Sequence, residues 1–256
     1  MRSVNRLRWL IFATVLLIAV VVILGAVLRP RDGSAAATPA PPAASPALTA
    51  ASPALTVPPV PTTTVAPGTV LSLPSLLDLL PVRAEDRTGY KRALFVHWID
   101  ADGDGCDTRR EVLIEEAIVA PKVTAGCHLA GGRWHSLYDG LETTNPSTFD
   151  VDHVVPLAEA WDSGASAWTA DRRMRFANDL GVPWSLIAVS ATSNRAKSDG
   201  DPADWLPPLA GVRCEYAADW LAIKVRWNLA IDPRERAVLE PMARDCPDTM
   251  QVLPAP

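Results

Sequence analysis

The chain has 256 residues, in which 24 Lys and Arg face 29 Asp and Glu. The charge is unevenly spread, because residues 1–68 carry a net charge of +4, which leaves −9 for the rest of the chain. This composition excludes a collagen-like, a wholly disordered and a polytopic membrane protein. The acidic remainder also disfavours a protein that binds polyanions in general through its charge.

Residues 1–32 are predicted to be a membrane anchor or a signal peptide. Trp9 to Leu28 is a run of 20 residues without a charge, which as a helix would be about 30 Å long, the thickness of one bilayer core. Arginines flank the run and favour a cytoplasmic N-terminus with the rest of the chain outside the cell. Small residues at 35–37 offer a cleavage site, so a removed signal peptide is the alternative. Both interpretations export the domain, either as a single-pass membrane protein or as a secreted one.

Residues 33–68 are predicted to be a disordered linker. Ten of the 24 prolines lie between Pro30 and Pro67, and the hexapeptide Ala-Ser-Pro-Ala-Leu-Thr occurs twice. Such a stretch buries too little apolar surface to offset the entropy of ordering, and its prolines favour extended conformations. It is interpreted as a stalk that holds the domain away from a membrane or wall.

Residues 69–256 are predicted to form one α+β domain in which helices outnumber strands. Helical patterns cover Leu71–Leu80, Tyr90–Trp98, Glu111–Val119, Ala170–Leu180, Tyr216–Trp227 and a segment from Pro233 toward Ala243. Strand-like runs are shorter and cover Thr148–Val151, Val154–Pro156 and Leu186–Val189. The length of this part is enough for one ordinary hydrophobic core.

An acidic stretch at residues 100–111 satisfies the pattern D-x-[DN]-x-[DN]-G-x5-E of a calcium-binding loop. Its ligand positions would be Asp100, Asp102, Asp104, Thr108 and Glu111. A structural turn rich in aspartate is the alternative. The stretch therefore makes Ca²⁺ one candidate ion of this protein.

The four cysteines, Cys106, Cys127, Cys214 and Cys246, all lie in the exported part of the chain. No pair is spaced as in a zinc knuckle, and an even number of cysteines in an exported chain predicts two disulfides. Three pairings are open. Proximity along the chain favours Cys106–Cys127 and Cys214–Cys246.

One stretch of the domain carries residues suited to catalysis. Asp152 and His153 are neighbours in a strand-like run. A second apolar run follows later in the chain and leads into a polar helix, which Ser190 or Thr192 would cap. Asn194 lies within the first turn of that helix, close enough to meet groups at the end of a preceding hairpin.

This stretch resembles the ββα-metal motif of HNH nucleases. The residues that carry the resemblance are Asp-His-x-x-Pro at 152–156, an apolar strand, and Ser-Asn-Arg-x-Lys-x-Asp at 193–199. The longer match, over 149–208, resembles the secreted actinobacterial branch of the HNH family that is related to the GmrSD C-terminal domain. The resemblance implies a mainly helical α+β domain built around an HNH (His-Me finger) core.

By the same resemblance, Asp152 and Asn194 would hold one divalent metal ion, and His153 would deprotonate the attacking water. An imidazole titrates near ambient pH, and a carboxylate with an amide oxygen suits Mg²⁺ best, with Mn²⁺ or another divalent ion as alternatives. The chain departs from the family at Ser185, which stands where the middle Asn of the HNH name is expected. Asn178 or a backbone carbonyl would then brace the loop after His153.

Basic side chains around this stretch would contact the phosphates of a substrate. Lys197 lies one turn beyond Asn194, and Arg195 follows Asn194 directly. The resemblance also reaches back to residues 98–113, where Arg109 would face the active site, a third interpretation of the acidic stretch.

The resemblance therefore implies an exported HNH-type endonuclease that hydrolyses phosphodiester bonds of nucleic acid, with DNA favoured and with low sequence specificity. Two alternatives stay open. One is a non-catalytic cell-envelope domain, stabilised by Ca²⁺, that retains a degenerate site; the other is a phosphodiesterase that acts on a non-nucleic substrate. The membrane is a partner through the N-terminal helix, and the sequence indicates no protein partner.

Overall fold

The computed structural model describes residues 65–253 of the chain. The predicted anchor or signal peptide, and the predicted linker before residue 65, lie outside the described residues. Within residues 65–253, no helix is both long and apolar enough to cross a membrane. The described part contains seven α-helices and four two-stranded antiparallel sheets, a mixed structure as the sequence predicts.

The elements are numbered in chain order, strands and helices separately. The strands are β1 (Thr69–Ser72), β2 (Lys122–Thr124), β3 (His128–Ala130), β4 (Trp134–His135), β5 (Glu142–Thr143), β6 (Phe149–His153), β7 (Leu186–Ser190) and β8 (Met250–Leu253). The helices are α1 (Leu73–Leu79), α2 (Thr108–Glu115), α3 (Leu157–Asp162), α4 (Ala170–Ala177), α5 (Ala191–Lys197), α6 (Arg213–Trp227) and α7 (Pro233–Asp245).

The hairpin of β6 and β7 positions the candidate site. The strands are antiparallel, and their register pairs Phe149 with Ser190 at one end and His153 with Leu186 at the other. Every residue of β7 is buried, and α2, β4 and α5 all pack against this strand. An apolar run without alternation is the pattern of a strand that is covered on both faces, so the sequence of β7 agrees with its place.

The helix α5 follows β7 without a loop because Ser190 caps it. The Ser190 hydroxyl oxygen accepts the backbone N–H of Ser193 over 3.2 Å, which satisfies one of the free donors of the first turn. Asp139 accepts hydrogen bonds from the hydroxyls of both Ser190 and Ser193. The prediction of a cap at Ser190 is confirmed, and this cap fixes the turn of α5 on which Asn194 lies.

Two hydrophobic clusters stabilise the described part. The larger one surrounds α6, where every residue of the segment 216–227 is buried, and it includes Leu76 of α1 and Leu239 of α7. A helix that is buried on all sides lies at the centre of its domain. The smaller cluster joins α2 to the hairpin through Leu113 and Phe149, so the hairpin is held by apolar packing as well as by its ladder.

The strands β1 and β8 join the two ends of the described part. Thr69 lies opposite Leu253, and Ser72 lies opposite Met250, in an antiparallel ladder. The helix α1 starts directly after β1, with Ser72 as its N-cap. Both α1 and β8 also pack against α6, so the two ends of the described part are anchored at the same core helix.

Two disulfides confirm the pairing that proximity along the chain favours. Cys106 is bonded to Cys127, and Cys214 is bonded to Cys246. The first ties the loop before α2 to the turn between β2 and β3, and the second ties α6 to the end of α7. The partners are 21 and 32 residues apart, and in the chain-entropy account each bond contributes about 3–4 kcal/mol.

Five of the predicted helices are present as α1, α2, α4, α6 and α7. The largest change in bounds is in α2, which begins at Thr108 because the side chain of Asp107 accepts the N–H of Arg110 as an N-cap. The same helix ends at Glu115 rather than at Val119, because Val119 pairs with Arg133 in an isolated bridge. Local caps and long-range pairing therefore set these bounds.

The helix predicted over Tyr90–Trp98 is wrong, since only a 3-10 turn at Arg92–Leu94 forms there. Trp98 has a φ of 59°, which no right-handed helix allows. Its ring stacks on His153 with the centroids 5.2 Å apart. A tertiary contact therefore overrides the helical pattern of this segment.

The two strands predicted over Thr148–Val151 and Val154–Pro156 are wrong in their extent, because a single strand, β6, runs over Phe149–His153. Pro156 does not extend a strand but stands at the N-cap of α3. The helix α3 and the short strands β1 to β5 and β8 were not predicted from the sequence. Strands of two to four residues, as these are, leave too little alternation to be detected.

Candidate functional site

Three residues that the sequence singled out meet at one cavity. Asp152 and His153 at the end of β6, together with Asn194 on α5, line a cavity of about 300 Å³. The rest of its lining is formed by Arg92, Val151, Pro156, Leu157, Arg195, Ser198 and Asp199. The hairpin and the helix after it thus bring side chains that are distant in sequence to one opening.

The Asp152 carboxylate is buried among polar partners and is only 6% exposed. Tyr138 donates its hydroxyl to Oδ2 over 2.6 Å, and Nζ of Lys197 lies 2.8 Å from the same oxygen. Burial raises the pKa of Asp152, although the positive charge of Lys197 acts in the opposite direction. Burial also lowers the pKa of Lys197. Two donors from different elements therefore hold this carboxylate in one orientation.

A backbone carbonyl orients the ring of His153. Nε2 lies 2.9 Å from the carbonyl oxygen of Ala177, at the end of α4. A carbonyl only accepts, so Nε2 carries the hydrogen and Nδ1 keeps a free lone pair. Burial lowers the pKa of His153 to about 3, so the imidazole is neutral at pH 7. The expectation that it titrates near ambient pH is wrong for this buried ring.

Asn178 braces the segment that carries the Ala177 carbonyl. Its amide makes four hydrogen bonds, to the carbonyls of Val96 and Met174 and from the N–H of Ile99 and the hydroxyl of Thr108. Ser185, at the position where the HNH family has its middle Asn, donates instead to Asp179 over 3.3 Å. The bracing is thus divided: Asn178 ties the end of α4 to the segment of Trp98 and to α2, and the Ala177 carbonyl holds the His153 ring.

Asn194 presents its amide at the cavity with a fixed direction. Nδ2 donates to Oδ2 of Asp150 over 3.3 Å. Among the residues that the structure describes, none donates a hydrogen bond to Oδ1 of Asn194. Asp150 and Asp152 share one face of β6, since side chains alternate along a strand. One helix therefore contacts both carboxylates, Asn194 the first and Lys197 the second.

This set of oxygen donors fits a Mg²⁺-like ion. A carboxylate offers about four lone-pair sites, so the contacts of Asp152 with Tyr138 and Lys197 leave it able to bind a cation. The amide oxygen of Asn194 is an open second ligand. Within residues 65–253, Asp152 belongs to no group of three His, Cys, Asp or Glu ligands. Water and phosphate oxygens would complete the coordination, which is the usual arrangement for Mg²⁺.

The cations expected to contact a substrate differ in their placement. Arg195 lines the cavity, and its side chain is 78% exposed. Lys197 is fully buried, and its ammonium contacts Asp152 rather than the opening. Arg109 donates to a backbone carbonyl of β6 over 2.9 Å and lines a different depression. Arg92, which the sequence analysis did not single out, is the second arginine of the cavity.

Two side chains that organise the site were not predicted from the sequence. Tyr138 binds Asp152, and Asp139 binds the two serines at the start of α5. Both lie between β4 and β5, in a turn that ends at Gly140 with a φ of 73°. The run Tyr-Asp-Gly predicts a turn. The polar side chains of Tyr138 and Asp139 beside that turn are the sequence feature that could have indicated a functional role.

The acidic stretch at 100–111 forms a turn in which three aspartates converge. Oxygens of Asp100, Asp102 and Asp104 lie within 4.8 Å of one another, and all three residues are exposed. Oε2 of Glu111 is buried without a hydrogen-bond partner among the described residues, and burial followed by the nearby aspartates raises the pKa of Glu111. The hydroxyl of Thr108 donates to other acceptors. The structure thus gathers three of the five predicted ligands and directs Thr108 elsewhere.

Comparison with known proteins defines the class of this chain. A sequence model of a nuclease-related family, described as the C-terminal domain of GmrSD restriction endonucleases, matches residues 113–240. That range contains the hairpin, α5 and nine of the ten residues that line the cavity. The chain belongs to the GmrSD C-terminal domain family, and the resemblance found in the sequence is confirmed at the level of this family. Its assignment to a secreted actinobacterial branch stays a prediction.

A relative from Arthroderma benhamiae, described as an uncharacterized secreted protein, is 41% identical over 190 residues. The match covers 73% of this chain and 91% of the relative. No solved structure matches the chain significantly. The similarity to a protein described as secreted agrees with the predicted export of this chain.

Proposed function

We propose that this protein is an exported, metal-dependent endonuclease of the HNH type, which hydrolyses phosphodiester bonds of nucleic acid, favours DNA and has low sequence specificity. The observation that carries the proposal is the cavity shared by Asp152, His153 and Asn194 where a strand hairpin runs into a helix. Membership in a nuclease-related family supports it, and the relative described as secreted supports export. An anchor formed by residues 1–32 is part of the proposal.

His153 is the base in this proposal. Nδ1 accepts a proton from the attacking water as the new P–O bond forms. The bond from phosphorus to the departing 3′ oxygen breaks, and solvent water protonates that oxygen. The hydrogen on Nε2 stays bonded to the Ala177 carbonyl, which stabilises the resulting imidazolium and keeps the ring from rotating. Trp98, stacked on the ring, limits the same motion from the other side.

The residues around the base hold the other participants. A Mg²⁺-like ion on Asp152 and Asn194 would neutralise charge on the phosphate and on the leaving oxygen. Lys197 links the two parts of the site, because its ammonium contacts Asp152 and also donates to the backbone carbonyl of His153 over 2.9 Å. One buried side chain thus keeps the proposed metal ligand and the proposed base at a constant separation.

Arg92 and Arg195 are the side chains that would receive the phosphates. Both line the cavity, and guanidinium groups bind phosphate oxygens with paired hydrogen bonds. Contacts of this kind position a nucleic acid without reading its bases. They support the proposal of low sequence specificity.

The test is cleavage of supercoiled plasmid DNA and of RNA by the full-length protein with Mg²⁺, with Mn²⁺ and with EDTA. We expect cleavage that EDTA abolishes, and a loss of about 10²- to 10⁴-fold in His153→Ala, because a positioned base contributes this much. His135→Ala, which removes an exposed histidine outside the cavity, is the matched control and keeps its activity. Undiminished cleavage by His153→Ala contradicts the role of the base.

A non-catalytic envelope domain stabilised by Ca²⁺ is the second candidate function. The convergence of Asp100, Asp102 and Asp104 favours it. If it is correct, no nucleic acid is cleaved with any divalent ion, while Ca²⁺ raises the melting temperature of the wild type by more than that of Asp102→Asn. Cleavage of bis(p-nitrophenyl) phosphate without cleavage of DNA or RNA would instead indicate a phosphodiesterase for non-nucleic substrates.

A further inference from the structure

A second group of acidic side chains lies apart from the cavity. Oxygens of Glu85 and of two residues of α3, Glu159 and Asp162, lie within 4.8 Å of one another. Glu85 forms a second such group with Asp201, which follows α5, and with Asp232, the N-cap of α7. Glu85 is exposed, whereas the other four residues are buried. None of the five is among the described residues that line the cavity.

The carboxylates of this group outnumber the cations that contact them. Nζ of Lys224 lies 2.7 Å from Glu159, and Nε of Arg87 lies 2.5 Å from Asp162. Two cations against five carboxylates leave an excess of negative charge in a largely buried place, which is costly unless it is neutralised. The pKa of Glu85 rises to about 8 through burial and through its contact with the Glu159 carboxyl group.

Oδ1 of Asp162 is the second observation that indicates a ligand. This atom is buried and has no hydrogen-bond partner among the described residues, in a side chain of a residue that is only 8% exposed. One oxygen of its carboxylate lies within 4.8 Å of oxygens of Glu85 and Glu159. A buried acceptor without a donor costs about 1–3 kcal/mol, so a ligand that occupies this position would be stabilising.

Asp201 and Asp232 offer further oxygens. Each uses Oδ1 to accept backbone N–H groups, of residues 203 and 204 and of residues 234 and 235 respectively. These bonds fix both carboxylates by one oxygen and leave Oδ2 able to face a ligand. The two groups therefore combine oriented, buried acceptors with one exposed carboxylate, that of Glu85, which both groups share.

We propose that Glu85, Glu159, Asp162, Asp201 and Asp232 bind one Ca²⁺ ion beneath Glu85. Ca²⁺ takes about six to eight oxygen ligands in a flexible geometry and accepts carboxylates with one or both oxygens, whereas Mg²⁺ requires a near-octahedral shell and retains water. The ion would clamp the segment after α1, the helix α3, the loop after α5 and the start of α7 to one another. This site goes beyond the proposed nuclease function and does not rest on it.

The test is calorimetric titration of the EDTA-treated full-length protein with Ca²⁺ alone, for the wild type and for Glu85→Gln, Asp162→Asn, Asp102→Asn and Glu115→Gln. We expect both Glu85→Gln and Asp162→Asn to bind one ion fewer than the wild type. Glu115→Gln, which neutralises an exposed glutamate of α2, is the matched control and keeps the full number of ions. Asp102→Asn separates any ion in the acidic turn from the one beneath Glu85.

A melting curve adds a second readout. Ca²⁺ should raise the melting temperature of Asp102→Asn by several degrees and leave that of the Asp102→Asn, Glu85→Gln double variant unchanged, because only a folded site binds the ion. Plasmid cleavage is measured on Glu85→Gln in parallel, and its retention shows that the variant is folded. The number of bound Ca²⁺ ions can be measured even if the wild type cleaves no substrate.

Three results would overturn the proposal. The first is an equal number of Ca²⁺ ions bound by the wild type and by both Glu85→Gln and Asp162→Asn. The second is a site that is lost in both Glu85→Gln and Asp162→Asn but takes up Mg²⁺ in preference to Ca²⁺. The third is a pair of results: the wild type takes up no Ca²⁺ at pH 8, and Glu85→Gln in EDTA is more stable than the wild type. A bound proton, rather than a cation, would then neutralise the carboxylates around Glu85.

Discussion

Two lysines of this protein are completely buried, and they lie in different regions. Lys224, in the core helix α6, has Nζ 2.7 Å from Glu159 and 2.7 Å from Glu235. Lys197, at the end of α5 and next to the cavity, contacts the single carboxylate of Asp152. Burial opposes the charge of both ammonium groups, yet the pKa of Lys224 is raised and the pKa of Lys197 is lowered.

The difference shows what separates a structural ion pair from one at a reactive site. Two carboxylates more than compensate for the desolvation of Lys224, so its charge is permanent and it joins α3, α6 and α7. One carboxylate, which Tyr138 also binds, does not fully compensate for the desolvation of Lys197. Ionisable groups with perturbed pKa values of this kind cluster at functional sites, where a bound ligand or a proton neutralises the remaining charge.

The largest expected effect is the loss of stability when Lys224 is replaced. Lys224→Met leaves Glu159 and Glu235 buried without their cation, so we expect the free energy of unfolding to fall by about 3–5 kcal/mol. Urea unfolding measures it, with Lys122→Met on the exposed strand β2 as the control that stays near the wild type. A loss below about 1 kcal/mol would show that the core does not depend on this ammonium group.

Lys197→Met should affect activity more than stability. Without the ammonium group, Asp152 is held by Tyr138 alone and loses its link to His153, so plasmid cleavage should fall by about 10- to 100-fold, as is typical when a ligand loses its supporting partner. The free energy of unfolding should fall less than in Lys224→Met, because the remaining carboxylate lies beside an open cavity. If the two variants lose equal stability, the distinction between the two regions fails.

Asn178→Ala should disturb the same site through the segment whose Ala177 carbonyl orients His153. The substitution removes four hydrogen bonds, at a cost of about 1–3 kcal/mol in the free energy of unfolding. Plasmid cleavage should fall with it, since the carbonyl that orients His153 is no longer braced. Asn145→Ala, at an exposed position, is the control. Normal cleavage by a folded Asn178→Ala would show that the Ala177 carbonyl is positioned without this amide.

Stability should also depend on the protonation of Asp219, a buried carboxylate of α6 whose pKa burial raises to about 8. Its proton is held more tightly in the folded than in the unfolded chain, so stability falls as the pH rises from about 4 to about 8. Asp219→Asn should remove that part of the pH dependence and should be more stable than the wild type at pH 9. Parallel pH curves of unfolding for both proteins would contradict this.

The part of the site that lies on consecutive elements could be predicted from the sequence. A buried apolar strand, a serine cap and a polar helix fix where Asn194 lies, and the neighbouring Asp152 and His153 end the partner strand. The disulfides could be predicted as well, because sequence proximity reflects the entropy of closing a short loop.

The contacts between segments that are distant in sequence could not be predicted. Tyr138, Arg92 and Trp98 reach the site from segments whose local patterns indicate only a turn or a helix, and their placement depends on tertiary packing. The same limit applies to the carboxylates around Glu85, which come from four separate parts of the chain. Local propensity contains no information on which distant segments will meet, and the helix predicted over Tyr90–Trp98 is wrong for this reason.

The pairing of β1 with β8 has a consequence for how the domain can be rebuilt. Thr69 and Leu253 are neighbours in one ladder, so the backbone from 69 to 253 is close to a closed ring. A few glycine and serine residues suffice to join these two positions, and new termini can then be opened at an exposed turn such as that of Gly131. A circularly permuted domain of this kind would keep both cysteine pairs and the hairpin with its helix, while the point of attachment to any carrier moves to another face.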